Sequence, residues 1–170
     1  LRTADAFVVV SPEQPYTADQ RAGLEAFADA GGRVLLAGEP PSQGSAIGSL
    51  FGISTMQSSP APMTGLATSF GFGFGDGYVY NLESYDVNYR NVFATPTETA
   101  SIGTDAEQVT VHEATTVRGG TPLLTTGDAT ELSSTRTANT YTVAARNDNV
   151  VTLGDASLLD REWVTRGDNE

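Results

Sequence analysis

Two carboxylates and two hydroxyls stand directly after the most apolar segments of the chain, a position where chemistry is often placed. Ser11 follows AFVVV, Glu39 follows RVLLAG, and Asp155 and Ser157 follow VVTLG. In open α/β sheets, ligands sit outside the carboxyl ends of the strands. Glu39 and Asp155 are thus placed to converge as an acid–base pair, or as oxygen ligands for a hard cation. The same residues have a plainer use. Asp155 can cap a following helix, Ser11 can close a turn before Pro12, and Glu39 can be solvated. Asp and Ser are common helix N-caps, which weighs toward that use.

Other catalytic constellations are thin. His112 is the only histidine, so a Ser-His-Asp triad would have to use it, yet no G-x-S-x-G elbow occurs. A histidine-based zinc site is excluded by number. The absence of cysteine removes disulfides, thiolate metal sites and cysteine nucleophiles. No catalytic residue, metal ligand or cofactor is therefore assigned.

One stretch could build a binding surface. In SFGFGFGDGYVYNL, Phe70, Phe72, Phe74, Tyr78 and Tyr80 share one parity and the glycines share the other. An extended chain would put an aromatic row on one side and bare backbone on the other. Burial against the core edge is the first use for such a row. The second is a lid or stacking platform, with Phe72, Phe74 and Tyr78 touching the ligand. The G-x-G-x-G spacing is not a nucleotide fingerprint, since no strand precedes it and no helix follows.

These residues need elements to hold them. Ala6–Val10 and Val34–Ala37 are continuous apolar runs, suited to strands covered on both faces. Between them Thr17 and Gln20 form a capping-box pair, Leu24, Phe27 and Ala28 make an apolar stripe, and Gly31-Gly32 ends the helix. Such a unit predicts a right-handed crossover joining parallel strands. Further along, Ile47, Leu50 and Phe51 suit a short helix, and 57–68 reads as a surface loop. Short strands are expected near Val92–Ala94 and Gln108–His112, and a hairpin across Gly119-Gly120. A tight turn at 146–148 leads into a last central strand at Val150–Leu153, and Ala156–Asp160 can start a helix. Asp168-Asn169-Glu170 could begin another.

The charge is unusual: 21 acidic residues oppose nine basic ones, all arginine, for a net −12. An acidic, lysine-free surface resembles proteins of salt-loving microbes, in which molar salt screens self-repulsion. It argues against nucleic acid and anionic membranes as direct partners. No apolar run approaches the ~20 residues needed to cross a bilayer.

DAFVVVSPEQPYTADQRAGLEAFADAGGRVLLAGEP, together with the late VVTLGDASLLD and GDN, resembles the class I glutamine-amidotransferase-like domains of an uncharacterised archaeal and bacterial family, a domain of unknown function. These are similar to auxiliary domains of gliding-motility type ABC transport systems. The likeness implies a flavodoxin-like, three-layer α/β sandwich on an extracytoplasmic, membrane-anchored protein, with the anchor outside this segment. It brings no catalytic residue, because the amidotransferase cysteine is missing and the one histidine is misplaced.

The expectation is a single α/β domain over 1–170 with a mostly parallel sheet and an antiparallel, loop-rich insertion at about 57–145. Its expected role is non-catalytic binding of a small ligand, a sugar or a protein partner through Ser11, Glu39, Asp155, Ser157, Phe72, Phe74 and Tyr78, at the outer membrane face or otherwise in the cytoplasm. The rival is a hydrolase or metal-dependent enzyme using the strand-end carboxylates.

Overall fold

The computed structural model describes residues 3–40, 62–100, 106–166 and 169. Its first unit follows from the sequence pattern. Strand β1 (Ala6–Val10) leads to helix α1 (Ala18–Asp29) and strand β2 (Arg33–Ala37). Thr17 caps α1 with the reciprocal capping box, and Asp19 lies in the first turn near the positive end of the helix dipole. Gly31, at φ +93°, turns the chain out of the helix, a conformation glycine takes without steric cost. Leu24 and Ala28 are buried against Val9, Val34 and Leu36, with Phe27 packed alongside. Each fully buried leucine or valine contributes about 1.5–3 kcal/mol through removal from water.

The two strands pair in parallel, from Ala6 opposite Arg33 to Val10 opposite Ala37. On the far side of β2 lies β11 (Val150–Leu153), also parallel. The remaining strands of this sheet are antiparallel: β10 (Thr142–Asn147), β8 (Thr121–Thr126), β5 (Asn91–Pro96) and β6 (Val109–His112). The seven strands run in the order β1-β2-β11-β10-β8-β5-β6 and curl into a half-barrel. Two small antiparallel pairs sit beside it: β3 (Gly73–Phe74) with β7 (Val117–Arg118), and β4 (Val79–Tyr80) with β9 (Glu131–Leu132). Helix α2 (Thr64–Ser69) and a 3-10 turn (Ser157–Leu159) complete the described elements. One core lies under α1 and α2; a second gathers Val79, Val92, Val111, Leu132 and Val143.

This is a mostly-β architecture, and it corrects the expected three-layer sandwich with a mostly parallel sheet. The residues read as an insertion supply β5, β6, β8 and most of β10, so they are the sheet itself. Short strands are expected near Val92–Ala94 and Gln108–His112 and do form; what the pattern does not show is that they join the main sheet. Thr110 and Thr126 are buried within these strands, packing as β-branched residues do while reading as polar. Nor is the sheet covered on both faces at β1, where Val8 and Val10 are 54% and 48% exposed. Two local expectations also change. Residues 64–68 are helical rather than loop. Across Gly119-Gly120, β7 pairs with β3 and β8 with β10 and β5, so no hairpin forms there. The turn at Asp148 does link β10 to β11 as a hairpin. The expected helix around Ile47–Phe51 lies outside the described residues.

Candidate functional site

Parallel pairing aligns the ends of β1, β2 and β11: Val10 is opposite Ala37, and Ala37 opposite Leu153. The ladder runs on past the strands, with the Ser11 N–H donating to Ala37 O (2.9 Å) and the Gly38 N–H to Leu153 O (3.0 Å). Glu39 and Asp155 therefore do meet. Glu39 Oε1 accepts the Ala156 N–H at 3.1 Å. Asp155, 1% exposed, accepts the His112 N–H on Oδ2 at 2.7 Å and the Ser157 N–H on Oδ1 at 2.8 Å. Burial pushes the Asp155 carboxyl above its usual range, against the lowering effect of those donors. Glu39, although an exposed residue, is also raised, first by partial desolvation and next by the charge of Asp155. The Ser157 hydroxyl lies close enough to Asp155 to lower that pKa, yet makes no hydrogen bond of ordinary geometry.

Asp155 has an architectural task. β6 is the last strand of the sheet, and its outer N–H groups need acceptors. Asp155 takes that of His112. Asn169 takes that of Thr110 (2.9 Å) and returns a donor to Thr110 O (3.0 Å). Two side chains thus stand in for a missing neighbour strand. The expected helix start at Asp168-Asn169-Glu170 lies outside the described residues except for Asn169, which makes this clasp.

Among the described residues no triad forms: the His112 ring has its Nδ1 2.7 Å from Asn91 Oδ1 and stacks on Trp163 at 4.5 Å. Among the described residues no three His, Cys, Asp or Glu gather as a metal site. Two open hollows among the described residues lie elsewhere. One, of about 270 Å³, is lined by Thr121, Arg146 and Asp148; the other, of about 400 Å³, is lined by Glu25, Phe70 and Asn149.

The aromatic row is divided. Phe70 and Phe72 are buried beneath α1 and α2, and Phe74 packs against the same core. The Phe74 ring covers the backbone of Gly38, where an added Cβ would stand 2.8 Å from it. At Gly77 (φ +80°) the chain turns, and the following tyrosines are half exposed. Tyr78 and Tyr80 sit 6.4 Å apart, and Tyr80 meets Tyr89 edge-on at 6.2 Å. The Arg90 guanidinium lies 5.4 Å from the centre of Tyr78 and 5.5 Å from that of Tyr89, and pairs with Glu113. Of the expected site residues, the structure brings together Glu39, Asp155, Ser157 and Phe74. Phe72 is buried, Ser11 is exposed at the sheet edge (φ +33°), and Tyr78 belongs to the arginine cluster.

Sequence reasoning missed the loop that Tyr89 and Arg90 anchor. Of the eight large hydrophobic residues exposed among the described ones, Leu82, Tyr85, Val87 and Tyr89 fall in one short loop. The signal was there, since Tyr85, Val87 and Tyr89 alternate with polar residues.

The DUF4350 family, a domain of unknown function, matches residues 1–170. The chain belongs to this family. No curated protein matches it. Among solved structures it is similar to one described as "mmIFT52 N-terminal domain", at 13% identity and a TM-score of 0.70, over 97% of this chain and 72% of that one. That likeness concerns fold alone. The neighbour has a mostly-sheet half-barrel fold, which overturns the expected kinship with amidotransferase-like, flavodoxin-like domains. What resembled that family is the local strand–helix–strand unit and the apolar β11, which a mixed sheet accommodates equally well.

Proposed function

We propose that this DUF4350 domain is a non-catalytic binding module whose partner is a protein docking on exposed surface. The observation behind this reading is the clustering of four exposed hydrophobic side chains within residues 82–89. Single exposed apolar residues are ordinary on soluble proteins, whereas a contiguous group marks an interaction site. Of the carboxylates that looked catalytic, Asp155 has both oxygens on backbone donors and Glu39 has one. A net charge of −12 speaks against nucleic acid. The membrane anchor is not carried into the proposal, because only the overturned likeness implied it. No helix among the described residues is long and apolar enough to cross a membrane.

The test compares full-length wild type with Leu82→Ser/Tyr85→Ser, each purified from its native cells and quantified by mass spectrometry. A stoichiometric companion kept by wild type and lost by the variant, at equal melting temperature, supports the reading. Identical companions, or none, sink it. The enzyme reading retains one favourable observation, the raised pKa of two adjacent carboxylates. Calorimetric titration with Mg²⁺ and Mn²⁺ addresses its metal-dependent form, since heat abolished by Glu39→Gln would favour it.

A further inference from the structure

The loop at residues 81–91 is tied by more hydrogen bonds than an exposed loop has reason to make. The Asn88 N–H donates to Asp86 O at 2.6 Å across Val87, whose φ is +60°. A bond spanning three residues with positive φ at the centre is the classical γ-turn, rare and strained, and worse for a β-branched residue. Strain of this kind persists only where the surroundings enforce it, and here they do. Buried Asn81 accepts the Glu83 and Ser84 N–H groups, both at 2.9 Å, and its own N–H donates to Tyr89 O at 2.9 Å. The Asp86 N–H reaches Asn91 O and the Asn91 N–H reaches Asn88 O, both at 2.9 Å. Arg90, held over Tyr78 and Tyr89, fixes the base, and Arg166 pairs with Asp86. All this enforcement holds Val87, 69% exposed, in the same loop as exposed Leu82 and Tyr85.

Resting on the binding reading above, we infer that Val87 is the preformed tip of a docking loop that inserts into an apolar socket on a partner protein, one rimmed by Lys or Arg. Charge selects this occupant. Glu83 flanks the tip, Asp86 and Arg90 are already in ion pairs, and the whole chain carries −12. An anionic lipid surface, the other common acceptor for an apolar loop, is repelled by such a charge. Holding the tip in its bound shape spares the ordering cost of docking a flexible loop.

Two measurements on the full-length protein test this. A photo-crosslinking benzoylphenylalanine at position 85, activated in the native cells, should attach to one protein, at a peptide bordered by Lys or Arg. Crosslinks to lipid, to a second copy, to many proteins equally, or to none overturn the inference. With that partner in hand, Val87→Gly should relax the γ-turn and raise the melting temperature while weakening binding about tenfold, equivalent to about 1.4 kcal/mol. If Leu82→Ser abolishes binding but Val87→Gly leaves affinity unchanged, the module binds and the strained tip is irrelevant. If neither variant has binding to lose, the binding reading itself falls.

Discussion

Replacing Asp155 by alanine removes the acceptor for two buried donors at once, the N–H groups of His112 and Ser157. Each stranded donor costs about 1–3 kcal/mol. Part of that is offset, because the variant no longer carries a carboxylate whose burial already disfavours its charged form. The net loss at pH 7 should be about 2–4 kcal/mol, or a fall of about 5–15 °C in melting temperature for a chain of this length. The readout that separates this account from general damage is amide exchange. His112 should lose protection beyond the global loss, because its outward N–H then faces water. Asn169→Ala should instead expose the Thr110 N–H, which Asn169 accepts, and leave His112 protected. A stability change under 0.5 kcal/mol, or unaltered exchange at His112, would refute the idea that Asp155 closes the sheet edge.

Three further outcomes follow from the same geometry. Asp155 and Glu39 both have raised carboxyl pKa values in the folded chain, with burial the first cause for each. Their contribution to stability is therefore fully present below the ordinary carboxylate range of about 4 and is lost as pH rises through the folded values. Melting temperature should rise as pH is lowered through the folded values toward about 4, and Asp155→Asn should flatten that rise; parallel profiles would contradict it. Gly38→Ala places a methyl against the Phe74 ring, and overpacking of this kind should cost about 1–3 kcal/mol in chemical denaturation, with no loss expected if the ring swings freely away. Finally, a chain of net −12 without lysine should melt higher in molar KCl than at low salt, and equal melting would remove the case for a salt-adapted surface.

How far the residues announced this structure depended on whether side chain and backbone told the same story. In Ala6–Ala37 they did. Valine runs, a capping box and a glycine stop each point to one conformation, and the parallel pair formed as expected. From β5 to β10 they diverged. Short strands are expected in NVFATP and before His112 and do form, but segments this short do not say which strands they pair with. Long-range pairing decided it, placing β8 between β10 and β5, and no local pattern carries that information. The site was legible in the same uneven way. Register alone brought Glu39 and Asp155 together. That Asp155 would serve β6, more than forty residues back along the chain, could not be read from the residues around it.

The residue types that suggest catalysis are the same types that satisfy stray backbone donors, because both tasks need a buried acceptor held in place. What separates them is whether the acceptor's oxygens are already occupied. Asp155 has each oxygen on a backbone N–H, and Glu39 has one so engaged, so a substrate would have to compete with the fold for them. The loop residues present the opposite case. Tyr85 and Val87 have no burial to justify their apolar side chains, yet a strained backbone is maintained to display them. Stability is given up at Val87 and recovered at Asn81 and Arg90. An arrangement that lowers stability locally and is enforced by its surroundings is better explained by something it meets than by the fold it belongs to.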